Sequence, residues 1–198
     1  MRSISSVFCF AAAAAAAAPP PCCAYGGSGV ATLFGTGVFE GEVTGMVMGM
    51  TSSGVAVLIN STDPDSASYG WFVAQAANGS QSVHAYSPQG TGGKPTCASS
   101  PMTGVELPGF ALCPGAAHGL FPQFGASYNI GGSALVANAY VQPPSGSRGA
   151  FLPAAQGCAP VGIFSYGSPF GKAWSIDIEK GSAEAPPSSW FAMPSYCQ

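Results

Sequence analysis

The chain has 198 residues, of which 47% are hydrophobic and only 7% are charged, so a disordered segment kept open by its own charge is excluded. Five basic against eight acidic residues leave a net charge of −3, which argues against nucleic acids and anionic membranes as partners. The 28 glycines and 18 prolines are typical of short strands separated by turns rather than of helical bundles.

The first 24 residues have the pattern of a secretory signal peptide. Arg2 supplies a positive charge, an alanine-rich apolar stretch follows at 4–18, and three prolines end it. The stretch is too short and too weakly apolar for a membrane span, which needs about 20 strongly apolar residues. We therefore predict a signal peptide at 1–24, a single domain at 25–198, and a secreted protein that is not an integral membrane protein. An uncleaved anchor or an alanine-rich tail is the alternative.

Apolar runs of strand length follow at 30–34, 38–50 and 54–59. In the second run Glu40 and Glu42 are expected on the polar face, where a solvated surface explains them better than a glycosidase site. Acids two residues apart on one strand cannot flank a substrate from opposite sides. The other face of this run is predicted to carry Phe39, Gly41, Val43, Gly45, Val47 and Gly49.

The turn after these strands is rich in oxygen-bearing side chains. Asn60, Asp63 and Asp65 lie within six residues, which suits either a calcium site or an Asx-type turn. The glycine and the closing glutamate of an EF-hand loop are missing, so the metal stays unknown. Asn60 also begins a glycosylation sequon, and a second one begins at Asn78, which predicts N-glycosylation at both.

Strands are predicted to continue at 69–77 and 81–86, and the Ser-, Pro- and Gly-rich segment 87–103 is predicted to be a loop. Further strands are expected at 105–112, 126–130, 133–141, 161–166 and 172–179. The last alternates apolar and polar residues, which indicates one buried and one wet face. The pattern predicts a mainly β fold, either two stacked antiparallel sheets or a half-barrel, with one or two short helices near 115–124 or 183–191.

Nothing in the pattern predicts catalysis. His84 is expected on the polar face of a strand and His118 in a loop, and neither has a histidine partner at the spacing of a metal site. The chain has no G-x-S-x-G elbow, and its cysteines are better used in disulfides. We therefore predict no enzyme, no catalytic residue and no cofactor. A hydrolase that uses Glu40, Glu42 or His118 would require a carboxylate and His118 in one cleft.

Apolar and aromatic side chains on the first strands predict a pocket for a lipid-like ligand in a curved sheet. The interleaved glycines leave room on one sheet face, although core packing explains the same residues. The predicted pocket residues are Phe39, Val43, Val47, Val57, Ile59, Trp71 and Val73.

Removal of the leader leaves four cysteines, Cys97, Cys113, Cys158 and Cys197. An even number in an exported chain predicts two disulfides with three possible connectivities. The pairs Cys97–Cys113 and Cys158–Cys197 are favoured because they close short, neighbouring loops.

Near the end of the printed sequence an aromatic residue, a proline and a cysteine follow one another as Trp190, Pro194 and Cys197. Strand-like segments at 126–140 and 158–179 precede them. From Cys97 onward this order resembles the ependymin-related family of small secreted glycoproteins. The resemblance implies two stacked antiparallel sheets in a half-barrel with a hydrophobic pocket similar to that of bacterial lipoprotein carriers. It also implies disulfides, N-glycosylation, calcium binding, a possible homodimer and no catalytic activity.

Two functions are compatible with these features. The first is a secreted, non-catalytic protein that binds a hydrophobic small molecule or lipid between curved sheets. The alternative is a structural or adhesive glycoprotein of the extracellular matrix or cell wall, with or without bound calcium.

Overall fold

The computed structural model describes residues 30–51, 53–76, 78–101, 161–165 and 172–198, together with the backbone of strands at 23–24, 111–112, 121–130, 133–141 and 148–153. The described chain is mainly β, which confirms the predicted class. In chain order the strands are β1 Cys23–Ala24, β2 Ala31–Phe39, β3 Glu42–Thr51, β4 Gly54–Ile59, β5 Tyr69–Gln75, β6 Gln81–Ser87, β7 Thr96–Pro101, β8 Ala111–Leu112, β9 Phe121–Ile130, β10 Ser133–Val141, β11 Arg148–Pro153, β12 Gly162–Ser165 and β13 Trp174–Ser182.

Eleven of these strands form one open antiparallel sheet, in the order β7-β6-β5-β4-β3-β2-β13-β12-β11-β10-β9. Strands β2 to β7 form one meander and β9 to β13 form another, and the pairing of β2 with β13 joins the two. Strands β1 and β8 pair separately. Because the sheet is open, β7 and β9 are its edges, and both contain a proline, as edge strands tolerate.

The apolar run at 38–50, predicted as one strand, is divided by a two-residue turn between β2 and β3. Glu40 and Gly41 have φ angles of 50° and 94°, both positive as in a type I′ hairpin turn. Phe39 therefore pairs with Glu42, and paired residues lie on the same face of a sheet. The turn shifts the alternation by one residue, so even-numbered positions of β3 share the face of Phe39. The prediction that Val43 and Val47 share that face is wrong.

The sheet is strongly curved. The rings of Trp71 on β5 and Trp174 on β13 lie 5.7 Å apart between centroids, although β4, β3 and β2 separate their strands. In a flat sheet four interstrand spacings would place those strands about 19 Å apart. The rings of Phe39 and Tyr69 also stack at 4.8 Å across two intervening strands. This curvature is that of a half-barrel, and the face carrying these rings is concave.

The junction between the two meanders depends on glycine and on a bulge. A Cβ atom at Gly35 or Gly37 would clash with the backbone carbonyl oxygens of Asp177 and Ser175 on β13. The β2–β13 register also shifts between Ile178 and Lys180, and such bulges increase the local twist and bend of a strand. Both features favour the bend of the sheet at this junction.

Residues 183–198, which we call the C-terminal strap, cross the convex face of the sheet. They contain two short 3-10 helices, Ser188–Phe191 and Ser195–Cys197. The first of these lies in the segment 183–191 where a short helix was predicted. The strap packs on apolar side chains of β3 to β6, so the convex face also carries a hydrophobic layer.

Several predicted elements agree with the structure and others do not. Strands β4 and β10 have the predicted bounds, but the predicted loop at 87–103 contains strand β7. Strand β7 is an exposed edge whose Ser-, Thr- and Ala-rich sequence has no apolar alternation, so the hydrophobic pattern does not indicate it. Residues 1–22 lie outside the described residues, and signal cleavage stays a prediction.

Candidate functional site

The concave layer consists of apolar side chains from β2, β3, β4, β5, β6 and β13. On β3 it is formed by Met46, Met48 and Met50, all buried. Methionine side chains are unbranched and polarisable, so a surface built from them adapts to different shapes. The buried members are Ala31, Leu33, Met46, Met48, Met50, Val55, Val57, Ile59, Tyr69, Trp71, Val73, Ala85, Trp174, Ile176 and Ile178, with Phe39, Val83 and Ile163 partly buried beside them.

Four aromatic rings lie at one end of the concave layer. Phe39 ends β2 and Tyr69 begins β5, while Trp174 begins β13 and packs against Trp71. We call these four residues the aromatic end. Lys172 lies beside it and contacts both carboxylate oxygens of Glu40 at 2.6 Å, in an ion pair exposed to solvent. The concave layer is therefore apolar, with a charge-paired rim at this end.

Tyr69 places a polar atom within this apolar layer. The residue is only 9% exposed, and its hydroxyl group is buried without a hydrogen-bond partner among the described residues. Burial and, to a smaller extent, the Glu40 carboxylate raise the pKa of Tyr69 to about 12. The phenol is neutral near neutral pH, and its hydroxyl group can both donate and accept a hydrogen bond.

The structure brings five of the seven predicted pocket residues together on the concave face and separates the other two. Val47 packs in the convex layer under the strap, and Val43 is 74% exposed. The reason is the turn at Glu40 and Gly41, which moves odd-numbered β3 positions to the convex side. The five that share the concave layer are Phe39, Val57, Ile59, Trp71 and Val73. Ligand binding by them stays a prediction.

Residues that sequence reasoning omitted from the pocket make up much of the concave layer. Met46 and Met50 replace Val43 and Val47 on β3, and Trp174 faces Trp71 from the other meander. The sequence signal for the change of face is Gly41 itself, because a glycine between two apolar runs marks a turn and adopts a positive φ angle without strain.

The strap fills the room that glycine leaves on the convex face. A Cβ atom at Gly49 would lie 2.6 Å from Cβ of Pro186 and 2.7 Å from Cε3 of Trp190. Trp190 is 2% exposed, and its indole N–H donates to the carbonyl oxygen of Thr62 at 2.8 Å. The space predicted for a ligand beside this glycine is therefore occupied by the chain itself.

The end of the strap is bonded to the edge of the sheet. Cys197 forms a disulfide with Cys97 on β7, with their Cα atoms 5.9 Å apart. The favoured pairs Cys97–Cys113 and Cys158–Cys197 are both wrong, because the strap brings together cysteines that are 100 residues apart in sequence. Cys113 and Cys158 lie outside the described residues.

The candidate calcium turn is held by the protein's own donors. The Asp63 carboxylate accepts hydrogen bonds from the Asp65 backbone N–H at 3.1 Å and the Ser66 hydroxyl at 3.0 Å, as in an Asx turn. The Asp65 carboxylate accepts one from the Ser195 backbone N–H at 2.6 Å and so anchors the strap. Within the described ranges, no group of three or more His, Cys, Asp and Glu side chains is arranged to hold a metal ion.

The two predicted glycosylation residues both lie in exposed turns. Asn78 is near the tip of the β5–β6 hairpin, where its side-chain oxygen accepts hydrogen bonds from the backbone N–H and hydroxyl groups of Ser80. Asn60 has a φ angle of 63°. Its side-chain oxygen accepts a hydrogen bond from the Thr44 hydroxyl, and its side-chain nitrogen donates one to the Ser68 hydroxyl. Glycan attachment at either residue stays a prediction.

His84 lies on the convex side of β6, stacked on Phe72 at 4.7 Å. Its two ring nitrogens form hydrogen bonds with the hydroxyl groups of Ser82 at 2.8 Å and Ser99 at 2.7 Å. Burial lowers the pKa of His84. These contacts give His84 a structural role, because it links β6 to the edge strand β7. His118 lies outside the described residues.

Comparisons with known proteins add little to this geometry. No family model matches the chain, and no curated protein matches its sequence. Among solved structures, it is similar to the crystal structure of a domain assigned as an outer membrane lipoprotein-sorting protein from Vibrio parahaemolyticus. The two share 9% sequence identity with a TM-score of 0.32, and the match covers 77% of this chain and 84% of that one. Within the described residues, no helix is long and apolar enough to cross a membrane.

Proposed function

We propose that this chain is a secreted, non-catalytic protein that binds a hydrophobic small molecule or lipid on the concave face of its sheet. The observation that carries the proposal is the contact between Trp71 and Trp174 across four interstrand spacings. It means that the sheet curls around one face, and that face is lined by a continuous apolar layer. A concave apolar surface with a small number of polar groups is the general form of a small-molecule site.

The three methionines fit the proposal because their side chains, although buried in this structure, are adaptable. Met46, Met48 and Met50 lie side by side along the strand at the middle of the curve. Flexible thioether side chains can move aside for an apolar chain and close again when it leaves. Each methylene group that a ligand buries contributes about 0.8 kcal/mol, which is about fourfold in affinity.

The disulfide supports the export part of the proposal. Bonds such as Cys97–Cys197 persist in oxidising compartments and are rare in the cytosol. The signal-peptide pattern at 1–24 and the two exposed sequons agree with the same compartment.

The proposal is tested by titrating delipidated protein with a homologous series of long-chain alcohols that displace the dye Nile red. We expect saturable displacement in which affinity rises about fourfold for each added methylene until the concave face is filled. No displacement by any member, together with retention of the native protein in an insoluble wall or matrix fraction, would contradict the proposal and favour the structural glycoprotein.

Tryptophan fluorescence locates the bound ligand when the ligand carries a quencher that acts only on contact. Of the three tryptophans, Trp71 and Trp174 lie on the concave face and Trp190 lies on the convex face. We expect a brominated long-chain alcohol to quench the fluorescence strongly in the variant Trp190→Phe and weakly in the double variant Trp71→Phe/Trp174→Phe. The reverse pattern would place the ligand under the strap and contradict the concave site.

A further inference from the structure

Among the described residues, the concave layer contains one buried polar atom that lacks a hydrogen-bond partner, the hydroxyl oxygen of Tyr69. Three tyrosine hydroxyls are buried without hydrogen-bond partners in the described part of the chain, those of Tyr69, Tyr86 and Tyr196. Tyr86 and Tyr196 belong to the convex layer beneath and within the strap, so only Tyr69 belongs to the concave layer. A buried hydroxyl without a partner is costly, and such groups in folded proteins call for an explanation.

The position of this hydroxyl suits the polar end of a long ligand. Tyr69 belongs to the aromatic end of the concave layer and is stacked on Phe39, while the methionine and valine side chains continue from there along β3, β4 and β5. A ligand chain lying on those side chains would bring its end group to the aromatic end. The hydrogen bond that Tyr69 lacks is then available to that group.

The charges beside Tyr69 favour an uncharged end group. Lys172 is already engaged with both oxygens of Glu40, so this ion pair offers no unpaired positive charge to a carboxylate. The Tyr69 phenol is protonated near neutral pH, so its hydroxyl hydrogen can be donated to an oxygen of the ligand. A carboxylate head group would lose its hydration beside an ion pair that is already neutral, which costs more free energy than placing a neutral oxygen there.

We infer that Tyr69 is the head-group contact of the bound ligand, and that the ligand is a neutral amphiphile whose oxygen accepts a hydrogen bond from the Tyr69 hydroxyl. A long-chain alcohol, ether or ester has this chemistry. The inference rests on the proposed function and adds the ligand class and the residue that selects it.

The experiment measures displacement of Nile red by dodecanol, dodecanoate and dodecane from the mature protein and from two variants. Tyr69→Phe removes only the hydroxyl, and Tyr86→Phe is the matched control because its hydroxyl is also buried and unpartnered, but on the convex side. We expect Tyr69→Phe to weaken dodecanol about 3- to 10-fold, the range of one hydrogen bond, and to change dodecane less than about twofold. Tyr86→Phe leaves both unchanged, and the mature protein binds dodecanol more tightly than dodecanoate.

A further ligand tests the same contact without any variant. Dodecyl methyl ether accepts a hydrogen bond but cannot donate one, so it is expected to compete nearly as well as dodecanol. Equal losses for dodecanol and dodecane in Tyr69→Phe, tighter binding of dodecanoate than of dodecanol, or much weaker binding of the ether would each overturn the head-group assignment. If no compound displaces the dye from the mature protein, the proposed function fails as well.

Discussion

Single side chains in this protein couple its stability to pH, and His84 is the clearest case. Its ring is stacked on Phe72 and hydrogen-bonded to Ser82 and Ser99, and burial lowers its pKa in the folded protein. The folded state therefore binds a proton at His84 less readily than the unfolded chain does. The stability that this group contributes is complete above the ordinary pKa of 6.5 and is lost as the pH falls through the lowered value.

We accordingly expect the free energy of unfolding in urea to decrease as the pH is lowered from about 7.5 to about 5. The variant His84→Gln retains hydrogen-bonding capacity without this titration and should show a shallower decrease. Carboxylates titrate in both proteins, so the difference between the two curves isolates the histidine. Superimposable curves would show that His84 does not contribute.

The packing of the strap is sensitive to added side-chain volume on the convex face of β3. Gly49 lies directly beneath Pro186 and Trp190, whereas a Cβ atom at Gly45, on the same face of the same strand, meets nothing within 4 Å. Gly49→Ala should therefore displace the strap and lower the free energy of unfolding by about 1–3 kcal/mol, the usual cost of overpacking. Gly45→Ala is the matched control and should be nearly neutral. Comparable losses in both variants would mean that the strap does not pack tightly on β3.

The disulfide anchors the same element covalently. Cys97 and Cys197 are 100 residues apart, and a bridge closing a loop of this size stabilises a protein by about 2–5 kcal/mol. We expect a reducing agent, or the double variant Cys97→Ser/Cys197→Ser, to lower the free energy of unfolding by that amount. Peptide mapping of the unreduced protein should recover a Cys97–Cys197 peptide pair. Recovery of Cys97 joined to Cys113 instead would contradict the strap arrangement.

At the scale of the whole molecule, the strap covers the convex layer, whereas the proposed ligand site lies on the concave side. Reduction of the disulfide should therefore lower the melting temperature but leave dodecanol affinity within about twofold, provided that the protein remains folded. Dodecanol at 100 times its Kd should raise the free energy of unfolding by about 2.7 kcal/mol. Loss of dodecanol binding in the reduced, folded protein would contradict this placement of the ligand site.

Local sequence patterns were sufficient for much of the fold. Strands β4 and β10 could be located from apolar runs bounded by turn residues, and the alternation of Trp174, Ile176 and Ile178 correctly predicted one buried face of β13. The mainly β class followed from the glycine and proline content. These features depend on neighbouring residues along the chain, and a sequence displays such neighbours directly.

Only the tertiary structure decided which residues distant in sequence come into contact. The backbone turn at Glu40 and Gly41 places Val47 on the convex face, although the apolar pattern of the neighbouring sequence predicts it as a pocket residue. The curvature that joins Trp71 to Trp174 and the path of the strap that joins Cys97 to Cys197 each bring together residues at least 100 positions apart. Such contacts arise from the bending of the whole sheet. Each strand contributes only part of the total curvature, so no local sequence pattern predicts the total.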